Sequence, residues 1–372
     1  MTLRLLQPDA VALDHTLAVG AQVAVEDTRV RGITFEKAAD AERLPGTLLP
    51  GFVDLQVNGA AGHSVGEADT EGLEQIARTV AQNGAVAFLP TLITCPFPAL
   101  LEKVAAVAAW IGNREQHTGA RPLGIHVEGP FLVNAGAHDE GALLDPTPER
   151  VQQLIEAGAG QIKLVTLAPS RPGAPTAVEQ LRAAGITVAL GHGEGDAGIA
   201  DCVASGAAMA THLFNAMGTG HHRDPGMAYT IMDHPELSCG LILDGVHVHD
   251  VMVRQAWERI GVERFVLVTD CVSAMGMPDG EYDLDGMSVT LRDGTVRNSE
   301  GVLAGSALTM FGAAASFLRT IPSVSPWGLA RVAATNPATV IGARDVGRIE
   351  PGSLARFTLL GEDGSLRTVS CS

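Results

Sequence analysis

The sequence predicts a (β/α)8 TIM-like barrel with a small β-sandwich domain formed by both chain termini. Three observations carry that prediction. Eight short aliphatic runs alternate with helix-like segments through the middle of the chain. Both ends carry brief apolar alternations with no strong helical pattern. Four of the runs end in a residue able to bind a metal or carry a proton. The length of 372 residues is ordinary for a barrel with an appendage.

In chain order, residues 1–47 read as short strands (LRLL, QVAVED, RGITFE), and the stretch 343–372 reads similarly. Neither end alone has the apolar area to fold, so the two are expected to meet in one small β domain. Residues 48–342 form the expected barrel. Its strands are placed at 51–57, 85–90, 123–128, 161–167, 186–191, 208–213, 238–243 and 264–269, because runs of β-branched and aliphatic residues bounded by Gly, Pro or Asp mark buried parallel strands. Segments such as EGLEQIARTVAQNG, TPERVQQLIEAGAG and VMVRQAWERIG supply the helices, several opening on Thr or Asp and closing on Gly. An open doubly wound sheet is the alternative, but LQVNGAAGHS after the first strand is a poor phosphate-binding turn. Residues 271–306 are rich in Gly and Asp, with hairpin punctuation at PDG, LDG and RDG, and read as an insertion able to cover a bound substrate.

Composition excludes several classes of function. Hydrophobic residues at 46% support a large core, while aromatics at 4% leave aliphatic side chains to fill it. A formal charge of −17 argues against nucleic acid or an anionic membrane as partner, and obliges an anionic substrate to find a local basic pocket. Cysteines 95, 202, 239, 271 and 371 show no CxxC spacing and read as free thiols of a reducing, cytoplasmic compartment. No signal-peptide pattern and no run of about 20 apolar residues is present.

The four runs are LGIHVEGP with Glu128, ITVALGHG with His192, AMATHLFNA with His212 and FVLVTD with Asp270. In a parallel barrel the C-terminal strand ends converge on one face. One carboxylate and two imidazoles suit a divalent cation such as Zn²⁺, and an aspartate beside them can move protons. A lone histidine at a strand end is more often a hydrogen-bonded structural residue; joint placement at strands 3, 5, 6 and 8 favours ligation. The sequence His247-Val248-His249 follows a strand rather than opening the barrel, so a metal there is not expected. His63, His221 and His222 fall in loops.

Nine stretches, taken in order, resemble one family: LPGFVDLQVNG (49–59), HVEGPF (126–131), GHGEG (191–195), THLFNAM (211–217), RDPG (223–226), DGVHV (244–248), VTD (268–270), LAGSALTM (303–310) and ATNPATVIG (334–342). They resemble the amidohydrolase superfamily, and within it the deacetylases of N-acetylglucosamine 6-phosphate. The resemblance implies hydrolysis of an acetamido sugar phosphate with Glu128, His192 and His212 as metal ligands and Asp270 as acid and base. It makes His247 a contact near the acetamide. Ala137, His138, Asn215, Ala216, Asp244, Gly245, Val246, Leu303, Ala304 and Gly305 would line the sugar phosphate site, and Arg223 would bind phosphate, within its own chain or across a subunit boundary. It implies one divalent metal per chain, Zn²⁺ foremost with Fe²⁺, Co²⁺ or Mn²⁺ as alternatives, and a homodimer or dimer of dimers.

The chain departs from the superfamily pattern in two places. Gln56 and Asn58 stand where many amidohydrolases carry His-x-His, which leaves the second-metal position vacant. The stretch before His138 is also shorter than usual. Competing readings are the galactosamine epimer, a cyclic amide hydrolase, for which Lys163 is badly placed, and a non-catalytic barrel.

Overall fold

The computed structural model describes residues 3–36, 38–113 and 119–370. Both chain ends contribute to one seven-stranded sheet. Strands Leu3–Ala12, Leu17–Val19, Gln22–Glu26, Arg29–Thr34 and Glu42–Pro50 join Arg356–Leu360 and Leu366–Ser370. Their apolar side chains close over a shared core in which Leu6, Val23 and Leu48 from one end meet Phe357, Leu359 and Val369 from the other. This is the small β-sandwich that neither end could build alone.

Eight parallel strands follow in sequential order around the barrel: β1 (Phe52–Val57), β2 (Ala85–Ile93), β3 (Ile125–Glu128), β4 (Ile162–Leu167), β5 (Thr187–Leu190), β6 (Met209–Ala210), β7 (Ser238–Ile242) and β8 (Phe265–Val268). Each is followed by a helix: α1 (Thr70–Gln82), α2 (Phe97–Gly112), α3 (Pro148–Ala157), α4 (Ala174–Ala183), α5 (Ile199–Ser205), α6 (Gly226–Asp233), α7 (Asp250–Arg264) and α8 (Met310–Thr320). The caps follow the local chemistry. Asp69 accepts from the Gly72 N–H at the start of α1, and Thr147 from the Arg150 N–H ahead of Pro148 in α3. Between β8 and β1 the barrel closes through a parallel bridge of Val57 with Cys271. The buried Asp54 carboxylate also accepts from the Thr269 N–H at 3.2 Å and the Thr269 hydroxyl at 2.5 Å.

Side chains alternate across each strand, as the pleat requires. Val127, Val165, Leu190 and Leu267 face the helices, whereas Leu164, Ala189, Ile242, Val266 and Val268 fill the barrel floor. Above that floor lies a polar layer in which His126 Nε2 meets Thr166 Oγ1 at 2.8 Å and Thr166 Oγ1 meets Thr211 Oγ1 at 2.6 Å. The register of β1 against β2 slips between Asp54 and Val57. That irregularity lets Leu55 join the floor while Gln56 turns into the layer above. β6 is shorter than its sequence run because the chain bends at His212, whose φ is +26°.

The insertion after β8 forms a three-stranded antiparallel sheet, Gly280–Leu284, Met287–Arg292 and Thr295–Asn298. Its two turns fall at Asp285-Gly286 and Asp293-Gly294, where φ is positive at both residues of each pair, the geometry that Asp-Gly favours in tight hairpins. Pro278-Asp279-Gly280 leads into the first strand instead of turning. Leu284, Val289, Leu291 and Val296 pack on Ile93 and Val272 at the C-terminal face of the barrel.

Candidate active site

The polar residues at the strand ends converge. Glu128 Oε1 lies 2.8 Å from His212 Nε2 and 3.2 Å from His192 Nε2, and the two imidazole nitrogens are 3.1 Å apart. Three ligands at about 2.1 Å from one tetrahedral ion would sit about 3.4 Å from each other. The observed spacing is slightly tighter and fits a cation of that size. His192 Nδ1 lies 2.8 Å from the carbonyl of Asn134, which fixes the donor on Nδ1 and leaves the Nε2 lone pair for a ligand role. His138 belongs to the same group, with Nε2 3.7 Å from Glu128 Oε2 and its ring edge-on to His192. Glu128, His138 and His192 offer ligand atoms within 4.8 Å of one another, close enough to share a metal ion, and His212 Nε2 meets the same carboxylate at 2.8 Å. His212 Nδ1 is buried with no hydrogen-bond partner among the described residues.

Backbone strain marks the same positions. His192, His212 and Asp270 have φ of +51°, +26° and +51°, rarely adopted by residues other than glycine, and each sits where its strand ends. The turn swings the side chain inward from a backbone that would otherwise continue along the barrel wall.

Electrostatics follow from burial and crowding. Burial pushes Asp270 up to about 6, and the charge of Glu128 adds to the push. Burial alone would raise Glu128 too, but the imidazoles of His192 and His212 against it outweigh that effect and hold the carboxyl well below its ordinary range. Burial, followed by the neighbouring His192, draws His138 down to about 3, so its ring is neutral near pH 7. Burial likewise lowers His126 to about 4.

A cavity of about 270 Å³ opens over this group, of a size for one small ligand. Glu128, His138, His192, His212, His247, Asp270 and Asn58 supply its polar wall. Asp244 orients His247, with Oδ2 2.6 Å from Nδ1 and Oδ1 accepting from the Val246 and His247 N–H groups. This arrangement leaves the Nε2 of His247 without a hydrogen-bond partner among the described residues.

A sequence model of the Amidohydrolase family matches residues 47–371. The chain belongs to the amidohydrolase family. An N-acetylglucosamine-6-phosphate deacetylase of Vibrio furnissii is 34% identical over 338 residues, covering 89% of this chain and 83% of that protein. An N-acetylgalactosamine-6-phosphate deacetylase of Escherichia coli O157:H7 is 32% identical, covering 96% of this chain and 93% of its own length. Among solved structures, an Asp-to-Ala variant of the Mycobacterium smegmatis N-acetyl-D-glucosamine-6-phosphate deacetylase, in complex with N-acetyl-D-glucosamine-6-phosphate, superposes with a TM-score of 0.93. It is 29% identical and covers 100% of this chain and 98% of its own. This amidohydrolase is thus a hydrolase of a metal-dependent family, with a carboxylate–imidazole cluster fit for the ion.

Of the residues expected at the sugar phosphate site, Ala137, His138, Asn215, Ala216, Leu303 and Gly305 line the cavity with His247. Asp244 stands behind His247, and Gly245, Val246 and Ala304 lie outside the lining. Arg223 is exposed on the loop after β6, its guanidinium 2.9 Å from His222 Nε2, and does not reach the cavity of its own chain. Gln56 and Asn58 point at the cluster. Sequence reasoning missed Asn134, whose contribution is a backbone carbonyl, and the apolar wall of Ile93, Val272, Leu284 and Val302. The hairpin punctuation of the insertion was the available signal for Leu284. Among the described residues no helix is long and apolar enough to cross a membrane. Cys95, Cys202, Cys239 and Cys271 are buried free thiols, and Cys371 lies outside the described residues.

Proposed function

We propose that this amidohydrolase deacetylates N-acetyl-D-glucosamine 6-phosphate, giving D-glucosamine 6-phosphate and acetate. The observation that carries the reading is the cluster of Glu128, His192 and His212 within 3.2 Å of one another, with the buried Asp270 beside it in one cavity. Relatives that act on acetamido sugar phosphates support the substrate class.

Glu128, His192 and His212 would hold one divalent cation per chain, Zn²⁺ foremost from the nitrogen and oxygen donors, with Fe²⁺, Co²⁺ and Mn²⁺ as alternatives. The ion supplies Lewis acidity, making water a better nucleophile at neutral pH and polarising a carbonyl. Asp270 takes the proton of the attacking water and returns it to the nitrogen as the C–N bond breaks, since an unprotonated amide nitrogen leaves poorly. His247, steadied by Asp244, offers Nε2 to the acetamide. Ala137, His138, Asn215, Ala216, Leu303 and Gly305 seat the sugar, and Arg223 reaches the phosphate bound in a neighbouring copy of the chain. In this scheme residues 48–342 carry the catalysis, and residues 1–47 with 343–372 form the appended β domain.

Acetate release from a panel of substrates tests the reading. The panel holds the glucosamine and galactosamine N-acetyl 6-phosphates, their unphosphorylated sugars and a cyclic amide. Turnover of the glucosamine phosphate by protein carrying about one metal per chain is the expected result. Preference for the galactosamine epimer would move the substrate assignment, and turnover of the cyclic amide alone would overturn it. Two tightly bound metals per chain would refute the single-ion site.

A further inference from the structure

Gln56 and Asn58 stand where many amidohydrolases carry His-x-His, yet neither amide is idle. Gln56 Nε2 donates to both oxygens of Glu128, at 3.0 and 3.1 Å. Asn58 Nδ2 donates to Asp270 Oδ1 at 2.7 Å. Both side chains are buried, at 2% and 3% exposure, and each carboxamide turns its donor end toward a carboxylate. Asn58 also lines the cavity, and its Oδ1 is buried with no hydrogen-bond partner among the described residues. An orphaned buried acceptor is destabilising, and a ligand that donates to it relieves that cost.

We propose that Asn58 is a positioning residue that joins Asp270 to the substrate nitrogen. Its Nδ2 occupies Oδ1 of Asp270, which leaves Oδ2 as the oxygen that takes the proton. Its Oδ1 accepts the N–H of the bound acetamide. This inference rests on the deacetylation reading above. The geometry also serves the proton balance. Water adds to the carbonyl carbon and its proton passes to Asp270 Oδ2. The nitrogen becomes pyramidal, keeps its original hydrogen on Asn58 Oδ1 and turns its new lone pair toward Asp270. Asp270 returns the proton to that lone pair, the C–N electron pair stays on nitrogen, and the amine and acetic acid separate, the acid's remaining water-derived proton passing to the amine or to solvent to leave acetate. Asn58 thus decides which face of the nitrogen meets the acid.

An ester analogue separates this role from a merely structural one. The 2-O-acetyl sugar 6-phosphate has no N–H to hold, and its oxygen leaves far more readily without a proton. Asn58→Ala is expected to lower kcat for the acetamide about 10²-fold, within the range of positioned acid–base catalysis, while KM changes less than about threefold. The same variant is expected to lose at least about tenfold less on the ester, with its metal content unchanged. Should Asn58→Ala fail to fold, Asn58→Ser, which keeps a small polar group, takes its place in the comparison. Equal losses on amide and ester, a loss confined to KM, or wild-type turnover in the variant would each overturn the inference while leaving the deacetylation reading intact. If the wild-type protein hydrolyses no acetamido sugar phosphate, the deacetylation reading falls and this inference falls with it.

Discussion

At the scale of single residues the site is governed by how burial acts on groups that must share protons or a cation. Asp270 is raised to about 6 by burial first and by Glu128 second, and Asn58 hydrogen-bonds one of its oxygens. A base must be ionised to accept the water's proton, so activity should fall as pH drops through the Asp270 value. A bound cation favours the ionised form, and the acid limb of kcat/KM is therefore expected at or below about pH 6. A limb centred above pH 7 would point to another base. Replacing Asp270 by Asn keeps the shape and removes the proton traffic. It should retain metal and lose about 10²–10⁴-fold in turnover. Near-normal turnover at full metal occupancy would place the proton carrier elsewhere.

At the scale of elements the strands aim these groups, and the seam between β1 and β8 holds the barrel shut. Asp54 sits in that seam, fully buried, and burial raises it from 3.8 to about 6 against the opposing hydrogen bonds of Thr269 and Gln56. A carboxyl raised by folding contributes stability that is present below its unfolded value and lost as pH climbs through its folded value. Asp54→Asn can accept the same two N–H bonds without carrying a charge. Its stability advantage over wild type should grow between about pH 4 and pH 6 and then level, with about 3 kcal/mol as an upper bound at 1.36 kcal/mol per pKa unit. Unfolding curves for both proteins at several pH values read this directly. An advantage that shrinks as pH rises would contradict the seam argument. The insertion belongs to this scale as well, since its two Asp-Gly turns carry Leu284 over the cavity.

Across the whole molecule, the charge of −17 makes capture of a phosphate dianion a local problem. Arg223, with His221 and His222, is exposed outside the cavity of its own chain. In the proposed scheme a second copy of the chain brings that guanidinium to the bound phosphate. Arg223→Ala is expected to lower kcat/KM for the phosphorylated sugar by about one to two decades and to spare the unphosphorylated one, as loss of a charge-assisted contact requires. Mixing Asp270→Asn chains with Arg223→Ala chains should restore activity, because one site of a mixed dimer would then hold both groups. Verified mixed dimers without recovery would rule out the sharing.

The sequence by itself determined the strand order, the barrel, the meeting of the termini and the four polar strand ends. Those features are written in local signals: aliphatic runs with Gly or Asp punctuation, and a single ionisable residue at the point where each run stops. Glu128 and His192 were legible for that reason, although nothing in their local context states that they lie 3.2 Å apart. Tertiary structure alone decided what depends on loops and register. The slip in β1 turned Gln56 toward Glu128, the loop before α3 brought His138 onto the same carboxylate, and the Asn134 carbonyl fixed the His192 tautomer. Arg223 was readable as a basic residue but not as one held away from its own cavity. Local pattern encodes where an element ends, whereas the partner of a side chain is set by the packing of elements distant in the chain.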